Sequence, residues 1–330
     1  MPYPAGLEVV QWAREATPGT DLATTSKILC SSFNAVPMDE VHRPAILRGV
    51  MQRNRGFEQV IKRWSEITIE GPLSFEQAQN LMAAAYGNDA APTGLNPYTW
   101  NLTRDPTGVP SLAHFTIERR ITDGSTPIQQ AWHYCTLRSL TINFADGEPV
   151  TYSATFFGRR IQTETLTAAQ AFPTPEWMPI GFGKLWIDTA WASLGTTVVA
   201  TQVLSGSVTF NSGAVPIWTL DQRSDLDWGV VGFNAEETSI EARISALVGA
   251  QYATEKTAAE AATLRAIRLQ FDGSSSRQLL LDWLCKHAPG SLFEFGQQDG
   301  QHIVEMNFVE SADGTNLIAG TVINGVATFA

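Results

Sequence analysis

Alternating apolar and polar positions recur through most of this chain and predict strands. Residues 114–121 and 131–144 both alternate in this way and are rich in β-branched and aromatic side chains, as is typical of strands with one buried face. The pattern predicts strands at 66–70, 98–103, 114–121, 131–144, 150–157, 198–210, 215–220, 238–247, 264–271, 278–285, 291–296, 302–309 and 316–323. Hairpins are expected at Asp146-Gly147, at 211–213 and between the last two strands.

Two segments have helical patterns instead. Residues 74–87 begin at a Ser, which is a favourable N-cap residue, and end at a Gly, which commonly terminates helices. Their apolar positions, including Phe75 and Leu81, form a stripe that we expect to pack on a sheet. Residues 257–262 are rich in Ala and also predicted to be helical. The sequence thus predicts a mainly β (α+β) chain dominated by antiparallel sheet, with one flanking helix per half.

Two stretches nearly repeat each other. Thr136–Gly147 and Thr263–Gly273 each open with Thr-Leu-Arg, continue with alternating apolar positions and end in Asp-Gly. Their spacing is about the length of one domain, which favours a duplicated domain. Chance similarity is the alternative, because many strands end at an Asp-Gly turn. We therefore predict an N-terminal arm or loop region at 1–63 and two similar β domains at 64–180 and 181–330.

Composition and charge narrow the possible functions. The 330 residues are 44% hydrophobic and 17% charged, which indicates a folded chain, and the net charge is −11. Proteins that grip nucleic acid do so mostly with Lys and Arg, so the charge argues against that role but allows repulsion of a polyanion. The sequence shows neither a secretory signal pattern nor a membrane-spanning apolar run, and we expect a soluble chain that binds no membrane itself.

Basic residues are concentrated in segment 37–63, which has little regular periodicity and predicts an extended arm or long loop. The basic residues of this segment are Arg43, Arg48, Arg53, Arg55, Lys62 and Arg63. A solvated loop is one interpretation. The other is an arm that docks on the acidic surface of a neighbouring copy.

Known catalytic and ligand-binding motifs are missing from the sequence. It contains no phosphate-binding loop, no His-Glu-x-x-His and no nucleophile elbow. Cys30, Cys135 and Cys285 lack the spacing of a zinc or redox site and are expected to fill apolar space. His133 with Cys135, and Cys285 with His287, are alternate residues of predicted strands, for which shared orientation is a better explanation than metal binding. We assign no catalytic, cofactor or metal residue, although carboxylate pairs for glycoside hydrolysis leave no sequence spacing.

Several diffuse patterns carry a resemblance to a known family. They are Glu15–Thr20, the charged N-terminal region, the helix ending at Tyr86-Gly87, Tyr98-Thr-Trp100, the strand from Cys135 to Asp146-Gly147, Tyr152–Arg159, Asp313–Leu317 and Ile323–Gly325. With these features the chain resembles the major tail tube proteins of long-tailed (siphovirus-type) bacteriophages. The resemblance spans most of the chain.

The resemblance implies a structural virion protein with a β-sandwich or barrel core and a flanking helix. It also implies rings whose inner strands join into a β-lined lumen, which removes exposed sheet edges. Such rings stack through an arm, the role expected for 37–63, and DNA passes through the tube during ejection. The implied partners are further copies of the chain, tail terminator, baseplate or tip and tape measure proteins. The implied location is the virion, after synthesis in the host cytoplasm, with no cofactor or enzymatic role.

Ring stoichiometry and two rival functions stay open in the sequence. Tubes of this family resemble rings of six domains, so a chain with two tube-like halves needs three copies and a chain with one needs six. We favour the trimer. A capsid or decoration protein has similar composition, and a polysaccharide-binding or polysaccharide-cleaving β-sandwich could use Trp177, Trp186 and Trp191 as sugar platforms. Core or interface packing is the more common role of such tryptophans.

Overall fold

The computed structural model of the chain describes residues 8–20, 22–42, 58–87, 91–104, 108, 110–122, 127–145, 147–163, 167–168, 170, 174–179, 181, 183–199, 202–220, 225–274, 276–289, 293–298 and 300–329. Within these ranges the helices are α1 (Phe75–Tyr86) and α2 (Ala250–Glu260). The strands are β1 (Glu8–Arg14), β2 (Ser26–Lys27), β3 (Ser32–His42), β4 (Gln59–Pro72), β5 (Tyr98–Arg104), β6 (His114–Ile121), β7 (Ile128–Ala145), β8 (Thr151–Gly158), β9 (Gly183–Asp188), β10 (Val203–Ile217), β11 (Val230–Leu247), β12 (Arg265–Asp272), β13 (Gln278–His287), β14 (Phe293–Gln298), β15 (Gln301–Glu310) and β16 (Ile318–Asn324). The described strands pair antiparallel, which confirms the prediction of a mainly β chain.

Eight neighbouring strands form what we call the main sheet, in the order β3-β4-β8-β7-β10-β11-β15-β14. Its register aligns one row of polar residues across five strands: Glu70, Ser153, Thr141, Thr209 and Glu241. Because successive side chains of a strand point to opposite faces, this row and its alternate neighbours lie on one side of the sheet.

The opposite side of the main sheet is apolar. The row adjacent to the polar one consists of Ile69, Ala154, Leu140, Phe210 and Ile240, all of them buried. Each strand thus places apolar residues inward and polar residues outward, as the alternation in the sequence predicts. This pattern fixes the register, since a slip by one residue would expose the whole apolar row.

A second sheet and helix α1 cover the apolar side. The second sheet has the order β9-β12-β13-β16-β5. Phe144 of the main sheet meets Phe271 of the second sheet with ring centroids 6.1 Å apart, and Tyr86 of α1 meets Phe210 at 5.7 Å. The two sheets and the helix share one apolar core, which gives a sandwich with the helix between its layers.

Helix α1 confirms the predicted helix and its packing. All twelve of its residues are buried. It ends at Gly87, whose φ of +68° suits glycine and whose N–H donates to the carbonyl of Ala83 at 3.0 Å. Ser74 precedes the helix, but its hydroxyl bonds to the Gln77 side chain at 3.4 Å and caps no backbone N–H.

Strand β7 belongs to two sheets. Its first half pairs with β6, which continues into β1 and β2, and its second half pairs with β8 and β10. Near the change of partners Tyr134 has a φ of +57°, and its N–H donates to the carboxylate of Glu15 at 2.6 Å. Burial raises the pKa of Glu15, although this hydrogen bond and others from Gly19 and Thr116 oppose that increase.

Two predicted hairpins are wrong. Strand β10 continues through 211–213, because Gly213 adopts a φ of +73° in a β-bulge and the strand goes on pairing with β11. The last two strands, β15 and β16, both pair with β13, and β15 forms its hairpin with β14. The predicted hairpin of β7 with β8 is confirmed, with Gly147 at a φ of +76°, while Asp146 lies outside the described residues.

The predicted halves are closely joined. Strand pairs β7–β10 and β5–β16 both cross the boundary between residues 180 and 181. The first Thr-Leu-Arg lies on β7, and the second leads into β12, which begins at its Arg265. Each of these strands forms a hairpin with the next strand. The two helices differ, because α2 buries only Glu255 and Ala258. The division into 1–63, 64–180 and 181–330 stays a prediction.

Candidate assembly surfaces

The outward side of the main sheet, which we call the polar face, is rich in hydroxyl and amide side chains. Its members include Asn34, Glu66, Thr68, Glu70, Arg138, Ser139, Thr141, Asn143, Ser153, Thr155, Ser205, Ser207, Thr209, Asn211, Ser239, Glu241, Arg243, Ser245, Glu294, Glu305 and Asn307. Thr141 and Thr209 are joined through their hydroxyls at 3.0 Å, and the Asn211 amide donates to Ser239 at 2.7 Å. These bonds across neighbouring strands hold short polar side chains close to the sheet.

Charges on the polar face are mainly acidic. Of its five carboxylates, Glu66 pairs with Arg138 at 3.3 Å and Glu305 with Arg243 at 2.5 Å. The hydrogen bond to Glu305 raises the pKa of Arg243. The other three carboxylates, on Glu70, Glu241 and Glu294, belong to exposed residues. The face therefore combines a neutral hydroxyl surface with an excess of negative charge.

Strands β3 and β14 form the two edges of the main sheet. Among the described residues, β3 pairs with β4 alone and β14 with β15 alone. Both edges expose apolar side chains, with Val36 on β3 42% accessible and Phe295 on β14 61% accessible. Unpaired edges invite addition of another strand, and exposed apolar residues strengthen that tendency. The sequence gives no signal for these edges, because a strand is an edge only through the partner it lacks.

The predicted basic arm, 37–63, overlaps the hairpin of β3 with β4, because 37–42 belong to β3 and 59–63 to β4. Strand β4 pairs with β8 from Ser65 to Pro72 but with β3 as far as Gln59. The hairpin therefore extends beyond β8 by 59–64, about 20 Å at the rise of a strand. Lys62 binds Glu40 at 2.7 Å, and Arg63 lies 3.4 Å from Asp39. Arg43, Arg48, Arg53 and Arg55 lie outside the described residues.

A second apolar cluster covers one end of the polar face. Tyr134, Phe157, Ala214 and Trp228 are buried together, with Trp64 and Trp218 packed against them. The backbone N–H of Arg63 donates to the carbonyl of Leu226 at 3.0 Å. The segment between β10 and β11 is thereby fixed against the base of the β3–β4 hairpin.

Buried polar residues form structural networks in the described parts of the chain. Glu255 receives hydrogen bonds from Arg265 at 2.9 and 3.1 Å and lies 3.0 Å from His287 Nε2. Cys135 donates to the carbonyl of Trp132, and Cys285 to that of Arg265. Within the residues that the structure describes, no group of three or more His, Cys, Asp or Glu side chains could hold a metal ion.

The three tryptophans considered as sugar platforms lie on separate local elements. Trp177 forms an isolated bridge with Ser74, Trp186 belongs to β9, and Trp191 begins a short 3₁₀ turn. Among the described residues no helix is long and apolar enough to cross a membrane.

Comparison with known proteins identifies one family. The sequence model of a family described as phage tail tube protein matches residues 7–301. No curated protein matches the chain. The matched residues include both helices and strands β1 to β14, and they end at the first residue of β15.

Proposed function

This chain belongs to the phage tail tube protein family, and from that premise we propose that its copies assemble into stacked rings through which DNA leaves the virion. The observation that carries the proposal is the continuous polar face on an eight-stranded sheet with two open edges. Copies joined edge to edge form a closed wall, and a closed wall has no unpaired edge left.

The polar face lines the lumen in this arrangement. Some of its Ser, Thr and Asn side chains are hydrogen-bonded across strands, as Thr141 is to Thr209 and Asn211 to Ser239, which leaves fewer of their donors free for phosphates. Exposed carboxylates such as Glu70 and Glu241 repel DNA at distances up to a Debye length of about 8 to 10 Å. The wall therefore guides DNA without binding it.

The number of strands favours three copies per ring. Strands lie about 4.8 Å apart, so three main sheets give a circumference of about 115 Å and a backbone diameter of about 37 Å. Strand tilt widens this further. Two copies give a backbone diameter of about 24 Å, and the inward-pointing side chains would fill most of that space. Three copies leave room for a DNA duplex. Six copies give a lumen far wider than the DNA requires.

Stacking is assigned to the β3–β4 hairpin and the basic segment that it carries. The hairpin extends past β8, and the basic residues at its end suit the acidic surface of a copy in the next ring. The tape measure protein fills the lumen before DNA does, and terminator and baseplate or tip proteins close the two tube ends. No catalytic step belongs to this role.

Negative-stain electron microscopy of the purified protein tests the proposal. We expect hollow tubes whose cross-sections have threefold symmetry and whose lumen admits a DNA duplex. Closed shells would contradict the proposal and support the capsid alternative. A monomer that releases sugar from polysaccharide would support the enzyme alternative. Tubes with six copies per ring would leave the tube function standing and refute the stoichiometry.

A further inference from the structure

We propose that β14 and helix α2 form a socket for strand β3 of the neighbouring copy in the ring, with Phe295 as its apolar anchor. The proposal deepens the assembly argued above and rests on it. It identifies the partner of each open edge, the relative direction of the two strands and the side chains that hold them together.

The socket side is an aromatic cluster at the edge of the main sheet. Phe293 and Phe295 oppose the buried residues Met306 and Val304 on β15, so both rings lie on the apolar side of the sheet. Tyr252 of α2 contacts both rings edge-on, at 5.2 and 5.4 Å. Phe295 is nevertheless 61% accessible. The apolar layer of the sheet therefore ends at a large side chain that is covered on one side and open beyond β14.

Helix α2, which forms part of this socket, is attached to the second sheet through the buried carboxylate of Glu255. Glu255 is fully buried and joins α2 to Arg265 on β12 and His287 on β13. The His287 ring also packs against Phe293 at 5.3 Å. One network therefore fixes both the helix and the aromatic cluster, and the socket exists before a partner arrives.

The edge that fits the socket is β3. Phe33 and Ala35 oppose Ile69 and Ile67 of β4, which places them on the apolar side of the sheet. Both are half-buried and pack against the core, while the edge beyond them is open. They lie on the same side of the sheet as Phe295 on β14. Joining the two edges would continue the apolar layer from one copy into the next.

The even number of strands in the main sheet determines the relative direction of β3 and β14 where two copies meet. The main sheet contains eight strands, each antiparallel to its neighbour, so β3 and β14 run in opposite directions. Copies related by rotation about a ring axis all point the same way. The β3 strand of one copy therefore meets β14 of the next in antiparallel orientation. Every pair of neighbouring strands around the ring is then antiparallel. The polar face also continues across the joint, from Glu294 to Asn34.

Substitution of the anchor tests the socket. We expect Phe295→Ser to raise the protein concentration needed for half-maximal tube formation at least tenfold, since burying a Phe ring is worth more than that factor. The matched control is Leu95→Ser, which removes an exposed apolar side chain near the second sheet. Sedimentation and electron microscopy measure assembly, and thermal unfolding verifies that each variant folds. Assembly of Phe295→Ser at wild-type concentrations would refute the anchor.

Disulfide cross-linking tests the strand pairing independently. Cysteines replace one polar-face residue of β3, in turn Ser32, Asn34 and Val36, together with Glu294 on β14, in a Cys30→Ser background. Opposed positions lie about 4.5 to 5.5 Å apart at their Cβ atoms, within reach of a disulfide. We expect at least one pair to give linked chains on denaturing gels, with the ladder ending at three. Single-cysteine variants are the controls.

The two kinds of failure are distinguishable. Wild-type tubes without a cross-link from any pair would refute the β3–β14 joint and leave the tube function intact. Absence of wild-type tubes would refute the proposed function itself.

Discussion

At the scale of single residues, His114 is the titratable side chain whose environment has the clearest measurable consequence. It lies on β6, where Nδ1 is 2.8 Å from the hydroxyl of Thr136 and the ring meets Tyr134 edge-on. Burial lowers the pKa of His114 from 6.5 to about 4, and the positive charge of Arg14 acts in the same direction. The folded chain therefore keeps this imidazole neutral in mild acid.

The lowered pKa predicts a loss of stability in acid. Below the unfolded pKa of 6.5, His114 is protonated in the unfolded chain but stays neutral in the folded chain. The free energy of unfolding therefore falls as the pH is lowered, until the pH reaches the folded pKa of about 4. Between about pH 7 and about pH 5 this one group costs about 2 kcal/mol. In urea unfolding of the monomeric protein, the free energy of unfolding of His114→Gln should fall between these two pH values by that much less than in the wild-type chain.

A second histidine provides the control for this measurement. His302 lies on β15 and is exposed. His302→Gln should retain the pH dependence of the wild-type chain. An unchanged pH dependence in His114→Gln would contradict the assigned environment of His114.

At the scale of secondary structure elements, α2 is unusual because a charge network attaches it to the sandwich. Its buried residues are Glu255 and Ala258. Apolar burial is therefore small, and the contacts of Glu255 with Arg265 and His287 supply the specific attachment. Breaking a buried ion pair strongly lowers stability, because the remaining charge is left without a partner in a site that water does not solvate.

Replacement of Glu255 should therefore destabilise the chain strongly. We expect Glu255→Ala to lower the free energy of unfolding by about 3 to 5 kcal/mol. The control is Glu260→Ala on the same helix, whose exposed carboxylate lies 3.9 Å from Lys256 and should contribute at most about 0.5 kcal/mol. Chemical denaturation followed by circular dichroism measures both. Equal effects of the two substitutions would contradict the role of the network.

The elements also show which local signals are reliable. Helix α1 and strands β6, β7 and β8 were predictable, because each combines a clear period with turn residues at its ends. The 211–213 segment has the residues of a turn but forms a bulge, because the long pairing of β10 with β11 continues on both sides of Gly213. Local turn residues do not decide between a turn and a bulge. The partner strand does.

At the scale of the whole molecule, the projecting β3–β4 hairpin and its basic segment predict how rings stack. Reversing the charge of Arg48, Arg53 and Arg55 to Glu should leave the subunit folded and rings intact but prevent stacking, because the acidic surface of the next ring then repels the arm. Tube length in negative-stain images is the measurement. Thermal unfolding reports on the fold.

Single reversals make a matched comparison for the arm. Arg53→Glu changes the basic segment, and Arg120→Glu makes the same change at an exposed position of β6. We expect shorter tubes for the first variant and wild-type lengths for the second. Tubes of wild-type length in the triple variant would contradict the role of the arm.

The sequence by itself determined the fold class and the two faces of most strands. Whether a residue faces the core or water follows from alternation along a few consecutive positions, and that information is local. The net negative charge and the resemblance to the family could also be read from the sequence. The tertiary structure alone decided which strands are neighbours, since β4 pairs with β8 and β5 with β16 across long separations in the chain. The polar face, the two open edges and the socket around Phe295 all depend on that choice of partners, because a face or an edge belongs to a sheet and not to any one strand.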